Sequence, residues 1–558
     1  MIGSSSRICP TVTAFLFLVC VAALAGSLEI ESKDFYLFNL SLDAGNHTLE
    51  GSQKISYLND SGADLGEIRL RLDINLSIPG AMEVLSVADN EGHELEWRYL
   101  PAEFGKISSE RGCVAVSLPA PLQPGKRFEA AIGLRLSGRR FLGSALLVLQ
   151  DDPYYSLDAW YAKAQSFRGG RWTKDDDRPS RYEILIDLPG EMLVASTGRV
   201  VEESTGGEGR KTLSLRAEGV RGFTIYGSAQ WQVQRSRAGD VDLAVYYYGL
   251  SAERAPLLLE ATADAIEFYR DFLGFFPTDH LDIYCPQFGH GSSAACNVIT
   301  IFMGGRFDEQ YRWLVAHEVA HQYFGSLVNQ PREEVHWVTV GLGLITDRSF
   351  LIARGMDTGL SDSLGRFYHI ARQQGFDTTL ARPLSDILNE EGDWTWKWNM
   401  GIGHGKAIAV CRMLMNLIGE DKFYDLIREI VTKKAGGILT ATEFLELCEE
   451  TLGKPLDWFA ADWIYSDAVL DYAVGEPEKV EGGWVVPVQR LGAASFPVVV
   501  EAVTTSGERL RARVDRTLEI DSVRFETEEE LDSVTVDPDA VCPDIDLSNN
   551  SWPVIVSG

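Results

Sequence analysis

Within RWLVAHEVAHQYFG, residues 312–325, two histidines four positions apart, His317 and His321, enclose Glu318. On a helix that spacing sets both imidazoles on one face, where they can share a divalent metal. The carboxylate beside them can then take a proton from a metal-bound water. The chemistry such a set supports is hydrolysis, with one zinc ion as the expected cofactor. With nine His in 558 residues, chance produces the pattern in roughly one such chain in a hundred. The plainer alternative is a pair of packed core histidines. Two imidazoles and a carboxylate on one stripe of an otherwise apolar helix are, however, costly to bury without a metal or partners.

These groups need a helix at 312–321 and a scaffold to hold it. From about Asp34 to Val245 the chain runs in short alternating stretches such as EIRLRLDINLS, FEAAIGLRLSG and RYEILIDLP, broken by Gly, Pro, Asn and Asp turns. A β saddle or sandwich is expected over 28–245. Near Ser251 the spacing turns helical in ERAPLLLEATADAIEFYRDFLGFF, and a short strand, HLDIYCPQ, precedes the helices that continue to about Asp467. A mostly α domain with a small sheet is expected over 246–472. Alternation returns in WVVPVQR, FPVVVEAVT, RLRARVD and SVTVDP, which predicts a small β-sandwich over 473–558. The fold class is multidomain α+β, with a cleft between the β saddle and the α domain on which His317, Glu318 and His321 converge.

The first 25 residues differ from the rest. Arg7 is the one charge ahead of an apolar run from Ile8 to Ala25, and Ala23-Leu24-Ala25 gives the small-x-small cleavage pattern. They predict a secretory signal peptide or, alternatively, a retained N-terminal anchor, and with either an extracytoplasmic protein that is secreted or membrane-anchored. Asn39, Asn46, Asn59, Asn75 and Asn549 each open an N-x-Ser/Thr sequon, which suits export. Six cysteines beyond that segment show no C-x-x-C pair, so neither a zinc ribbon nor a disulfide scaffold is expected. With 51 basic against 81 acidic residues the net charge is −30, which repels a phosphate backbone and excludes nucleic acid as a partner.

Beyond the histidine pair, the chain resembles the membrane alanyl aminopeptidases, the aminopeptidase N-like zinc metallopeptidases of gluzincin type. The likeness runs through HEVAHQYFGSLVNQP, VHWV, GLGL, HGKAIAVCRML and TATEFLELCEETLGKPLDWFAADWIY. It implies an N-terminal β saddle, a thermolysin-like catalytic domain and a small β-sandwich after it, with peptides or proteins as substrates. It also implies His317 and His321 as zinc ligands and Glu318 as the general base. Three further functional positions depart from the family pattern. The third ligand, a Glu in an Asn-Glu-Gly triplet, is Val340 in Thr339-Val340-Gly341. The Gly of the amine-binding motif is Gly291, but its Glu is Ala294. The Tyr that stabilises the oxyanion is His404 in GHGKA.

Two imidazoles alone hold zinc weakly, so a substitute ligand is sought. His336, one helical turn before Val340, is the first candidate. An imidazole is shorter than a phenol, so His404 would reach the metal only if its loop moved inward, and an outer or oxyanion role is the expectation for it. Asp347, two turns after Val340, is expected to orient His317 or His321. His290 and Cys296 are further possibilities. Trp394, Trp396 and Trp398 in DWTWKWN alternate at strand spacing and would form an aromatic wall for peptide side chains, or simply pack. Two functions follow: an exported zinc peptidase with a reworked site, or a pseudopeptidase that binds peptides or acts as a surface module without turnover.

Overall fold

In the computed structural model, residues 30–553 are described apart from 105, 138–153, 158, 174–176, 250–251, 287–291, 303–307, 332–333, 335, 358, 384–393 and 517–518. The signal or anchor segment, His290 and Gly291 lie outside the described residues. Among these, no helix is long and apolar enough to cross a membrane. The architecture is multidomain α+β: β-rich at the N-terminus, helical in the centre and a β-sandwich at the end.

The alternation read from the sequence builds the first core. Strand Asp34–Asp43 turns Tyr36, Phe38, Leu40 and Leu42 inward, and Ser180–Pro189 does the same with Tyr182, Ile184, Ile186 and Leu188. These two strands pair in parallel at the middle of a seven-stranded sheet. A four-stranded sheet containing Leu65–Arg71 and Ile107–Leu122 shares its hydrophobic core. Two of the expected glycosylation sequons belong to this packing and not to the surface. Asn59 donates through Nδ2 to the carbonyls of Ala63 and Leu122, and Asn75 to those of Met82 and Arg111; both side chains are fully buried.

Strands Gln232–Ala238 and Val241–Tyr247, which alternation alone assigns to the β domain, hydrogen-bond into the sheet of the central domain. Val241–Tyr247 runs parallel to His280–Tyr284. A parallel pair needs a crossover, supplied by helix α1 (Ala255–Leu273), which ends at Gly274 with φ 92°. The five-stranded sheet finishes on Ser293–Ala295, paired with Val298–Thr300 and forming its edge. Helices α2 (Glu309–Ala320), α3 (Trp337–Ala353) and α4 (Gly359–Gln373) follow. A wide-wound π-helical segment, Trp394–Lys406, then leads directly into α5 (Ala407–Ile418). Trp394, Trp396 and Trp398 thus lie on helical backbone, not on the strand that their alternation suggested. The C-terminal strands form two four-stranded sheets whose inner residues join the core of the helical domain.

Helix α3 crosses α5 at Gly341. A Cβ there would lie 2.5 Å from Cys411 Sγ and 3.1 Å from the Ala407 carbonyl oxygen, so the close approach depends on glycine. Gly341→Ala is expected to destabilise the protein by about 1–3 kcal/mol through overpacking. A urea melt checks this, and an unchanged midpoint would mean the two helices can separate freely.

Candidate active site

Helix α2 is capped by Asp308, whose carboxylate accepts from the Gln310 amide at 3.1 Å. It then buries Val315, Ala316, Val319 and Ala320, which fixes its rotation. His317 and Glu318 fall in its last turn and His321 at its C-cap. The two imidazoles lie edge to face, ring centroids 4.8 Å apart, as i, i+4 spacing requires.

Each imidazole is oriented through Nδ1. His317 Nδ1 is 2.9 Å from Asp347 Oδ2, on α3, and its ring stacks on Trp313 one turn earlier. His321 Nδ1 donates to the Phe324 carbonyl at 3.0 Å, an acceptor that fixes the tautomer and leaves Nε2 bare. Burial pushes the His317 pKa down to about 4. For His321 burial, followed by the neighbouring His317, pushes it to about 3. Both rings therefore stay neutral at physiological pH and retain a lone pair. Glu318 is 4% exposed, its Oε2 has no hydrogen-bond partner among the described residues, and burial raises its pKa to about 8. A buried carboxyl oxygen left without a partner is expensive unless something else approaches it.

The remaining candidates divide. Val340 is partly buried against the hydrophobic core of the domain and carries no donor atom for a metal. His336 stands at the start of α3, its carbonyl accepting from the Val340 amide at 3.0 Å. His404, partly exposed, comes close: its ring centroid is 6.0 Å from that of His317, and its Nδ1 donates to the Asn399 carbonyl at 2.8 Å. Its neighbour Lys406 anchors the wide helix from within, with Nζ on Asp377, Thr378 and Ser466. Gly405 permits the packing, since a Cβ there would meet the Leu364 carbonyl oxygen at 2.7 Å. Trp396 lies eight residues before His404 in the same π-helical segment, and Gly291 is outside the described residues.

Gln322, which drew no attention in the sequence, ties the site to the sheet. Its side chain accepts from the Asn297 amide at 2.8 Å and donates to the Ala295 carbonyl at 3.0 Å. Edge strand Ser293–Ala295, with Ala294, is thereby held beside α2. A cleft of about 900 Å³ between the β domain and the central domain is lined by Asn297 and Gln322 but by none of His317, Glu318, His321 and His404, so the expected convergence of the histidine pair on it is not what its lining shows. Position next to His321 was the only signal for Gln322. The carbonyls of Phe324 and Asn399 had none, because any residue supplies a carbonyl.

Residues 259–463 match the description Peptidase family M1 domain. Probable aminopeptidase 2 of Sulfurisphaera tokodaii is 20% identical over 304 residues, covering 52% of this chain and 38% of that protein. Aminopeptidase N of Haemonchus contortus is 26% identical over 230 residues, 37% of this chain and 23% of its own length. Tricorn protease-interacting factor F2 of Thermoplasma acidophilum is 22% identical over 352 residues, 59% of this chain and 42% of that protein. The chain thus spans less than half the length of these relatives. The matched stretch encloses the histidine pair, the buried carboxyl and the helices that orient them, so over residues 259–463 the chain is similar to the M1 peptidases, at low identity to each of these relatives.

Proposed function

We propose that this protein is an exported zinc-dependent peptidase that hydrolyses peptide bonds with Glu318 as general base. The observation that carries the reading is the paired tautomer control at His317 and His321 beside a buried carboxyl oxygen without a partner. Two bare Nε2 atoms one helical turn apart are the donor set a zinc ion takes, so the residues fit the metal that the family uses. When bound, zinc would acidify a water and polarise the scissile carbonyl. The chain's own residues do the rest. Asp347 and the Phe324 carbonyl hold the rings. Glu318 Oε2 takes the proton from the attacking water and returns it to the leaving amine. The edge strand Ser293–Ala295 offers backbone groups on which an extended peptide can pair.

Ala294 supplies no carboxylate for a substrate ammonium, and a buried ammonium without an opposing charge is costly. The enzyme should therefore cleave N-acetylated and free-amine versions of the same peptide at rates within a few-fold of each other. Hydrolysis confined to the free-amine peptide would show that another acidic group takes Ala294's place. The lost carboxylates at Val340 and Ala294 also favour a second reading, a peptide-binding module without turnover. Zinc content after dialysis, with chelator-sensitive hydrolysis of a mixed peptide library, separates the two. A folded protein that retains no zinc and cleaves nothing sinks the peptidase. Export rests on residues 1–25 and would be read from processing and location of the full-length chain.

A further inference from the structure

We propose that His404 is the third metal ligand, so that the site is a three-imidazole set, His317, His321 and His404, in place of two histidines and a carboxylate. This rests on the zinc peptidase reading above. The structure treats all three rings alike: each has Nδ1 engaged, by Asp347, by the Phe324 carbonyl and by the Asn399 carbonyl. Each therefore presents Nε2 as its remaining donor. The two separations that involve His317 are close to what one metal needs. Zinc–nitrogen bonds of roughly 2.0–2.1 Å in a tetrahedron put imidazole centroids about 5 Å apart. The His317–His321 pair stands at 4.8 Å and the His317–His404 pair at 6.0 Å.

No three metal-binding side chains among the described residues yet close on one point, and the His317–His404 separation exceeds the ideal by about an ångström, so His404 has to move inward to ligate. It is carried on a π-helical turn, a winding with looser hydrogen bonding that recurs at functional positions. Lys406 pins the turn two residues further on, so a local shift at 404 leaves the helix in place. Val340, on the adjacent helix, offers no competing donor. Three neutral ligands make the site one unit more positive than a carboxylate-containing one, with Glu318 as the nearby acid to balance it.

The test is zinc affinity, measured by competition with a chromophoric chelator at neutral pH on the full chain and its variants. His404→Asn is the informative change. The Asn amide can still donate to the Asn399 carbonyl but has nothing in place of Nε2. Affinity should fall at least about 100-fold, while His336→Ala should leave it within a few-fold. X-ray absorption of the zinc-loaded wild type, which does not depend on any variant folding, should count three imidazoles. Two imidazoles, or unchanged affinity in folded His404→Asn, overturns the inference and leaves the peptidase reading standing. Loss in His336→Ala with none in His404→Asn also overturns it and hands the position to His336. A wild type that binds no zinc overturns both.

Discussion

Glu318→Gln should abolish peptide hydrolysis, lowering kcat by roughly 10²–10⁴-fold, the range a positioned general base contributes. The amide is nearly isosteric and keeps the packing of a side chain that is 4% exposed, but it cannot accept a proton. Zinc affinity should change little, because the three candidate ligands are imidazoles oriented by Asp347 and two backbone carbonyls, not by Glu318. A steady-state assay on zinc-loaded wild type and variant measures the ratio. Equal rates would remove Glu318 from the role of base and reopen the search among other groups around the metal. A variant that lost zinc along with activity would place the carboxylate in the metal site itself.

The parts legible in the sequence were those governed by side-chain period. The i, i+4 histidines and the intervening carboxylate sit together on α2, and Asp347, two turns along α3 from Val340, meets His317. Strand alternation in the first 230 residues was equally direct, because Tyr36, Phe38, Leu40 and Leu42 face one core. What misled was local pattern without its context. Gln232–Ala238 and Val241–Tyr247 alternate as any strands do, and only their partner His280–Tyr284 assigns them to the central domain. Trp394, Trp396 and Trp398 alternate too, yet their backbone winds as a helix that continues into α5. Asn59 and Asn75 fit a surface sequon but each satisfies buried carbonyls. The resemblance placed His404 at the site, but no periodic pattern in the sequence gave its approach to His317. It depends on α4 packing against Gly405 and on Lys406 reaching Asp377 across the fold, neither of which leaves a periodic trace.

The same carboxyl makes the stability of the protein depend on pH in a direction opposite to the usual carboxylate. Burial raises the Glu318 pKa from an ordinary 4.5 to about 8, so the folded protein holds this proton over a range in which the unfolded chain has released it. The stabilisation is fully present below about pH 4.5 and is lost as pH rises toward 8. Gln carries no such proton and stays neutral throughout. In chelator-treated samples, Glu318→Gln should match wild type near pH 4.5 and become progressively more stable than it up to pH 8. At about 1.4 kcal/mol per pH unit, the gap at pH 8 is on the order of a few kcal/mol, a large share of a typical domain's stability. Only the difference between the two proteins is interpreted, because the depressed pKa values of His321 and His404 lower the stability of both below pH 6. Urea melts across that range provide the curve. A gap that stays constant with pH would show that Glu318 ionises normally in the folded state, so that water or an unrecognised cation reaches Oε2. In that case the carboxyl would no longer be set apart from the surface acids by its burial, and its claim to act as the base would rest on position alone.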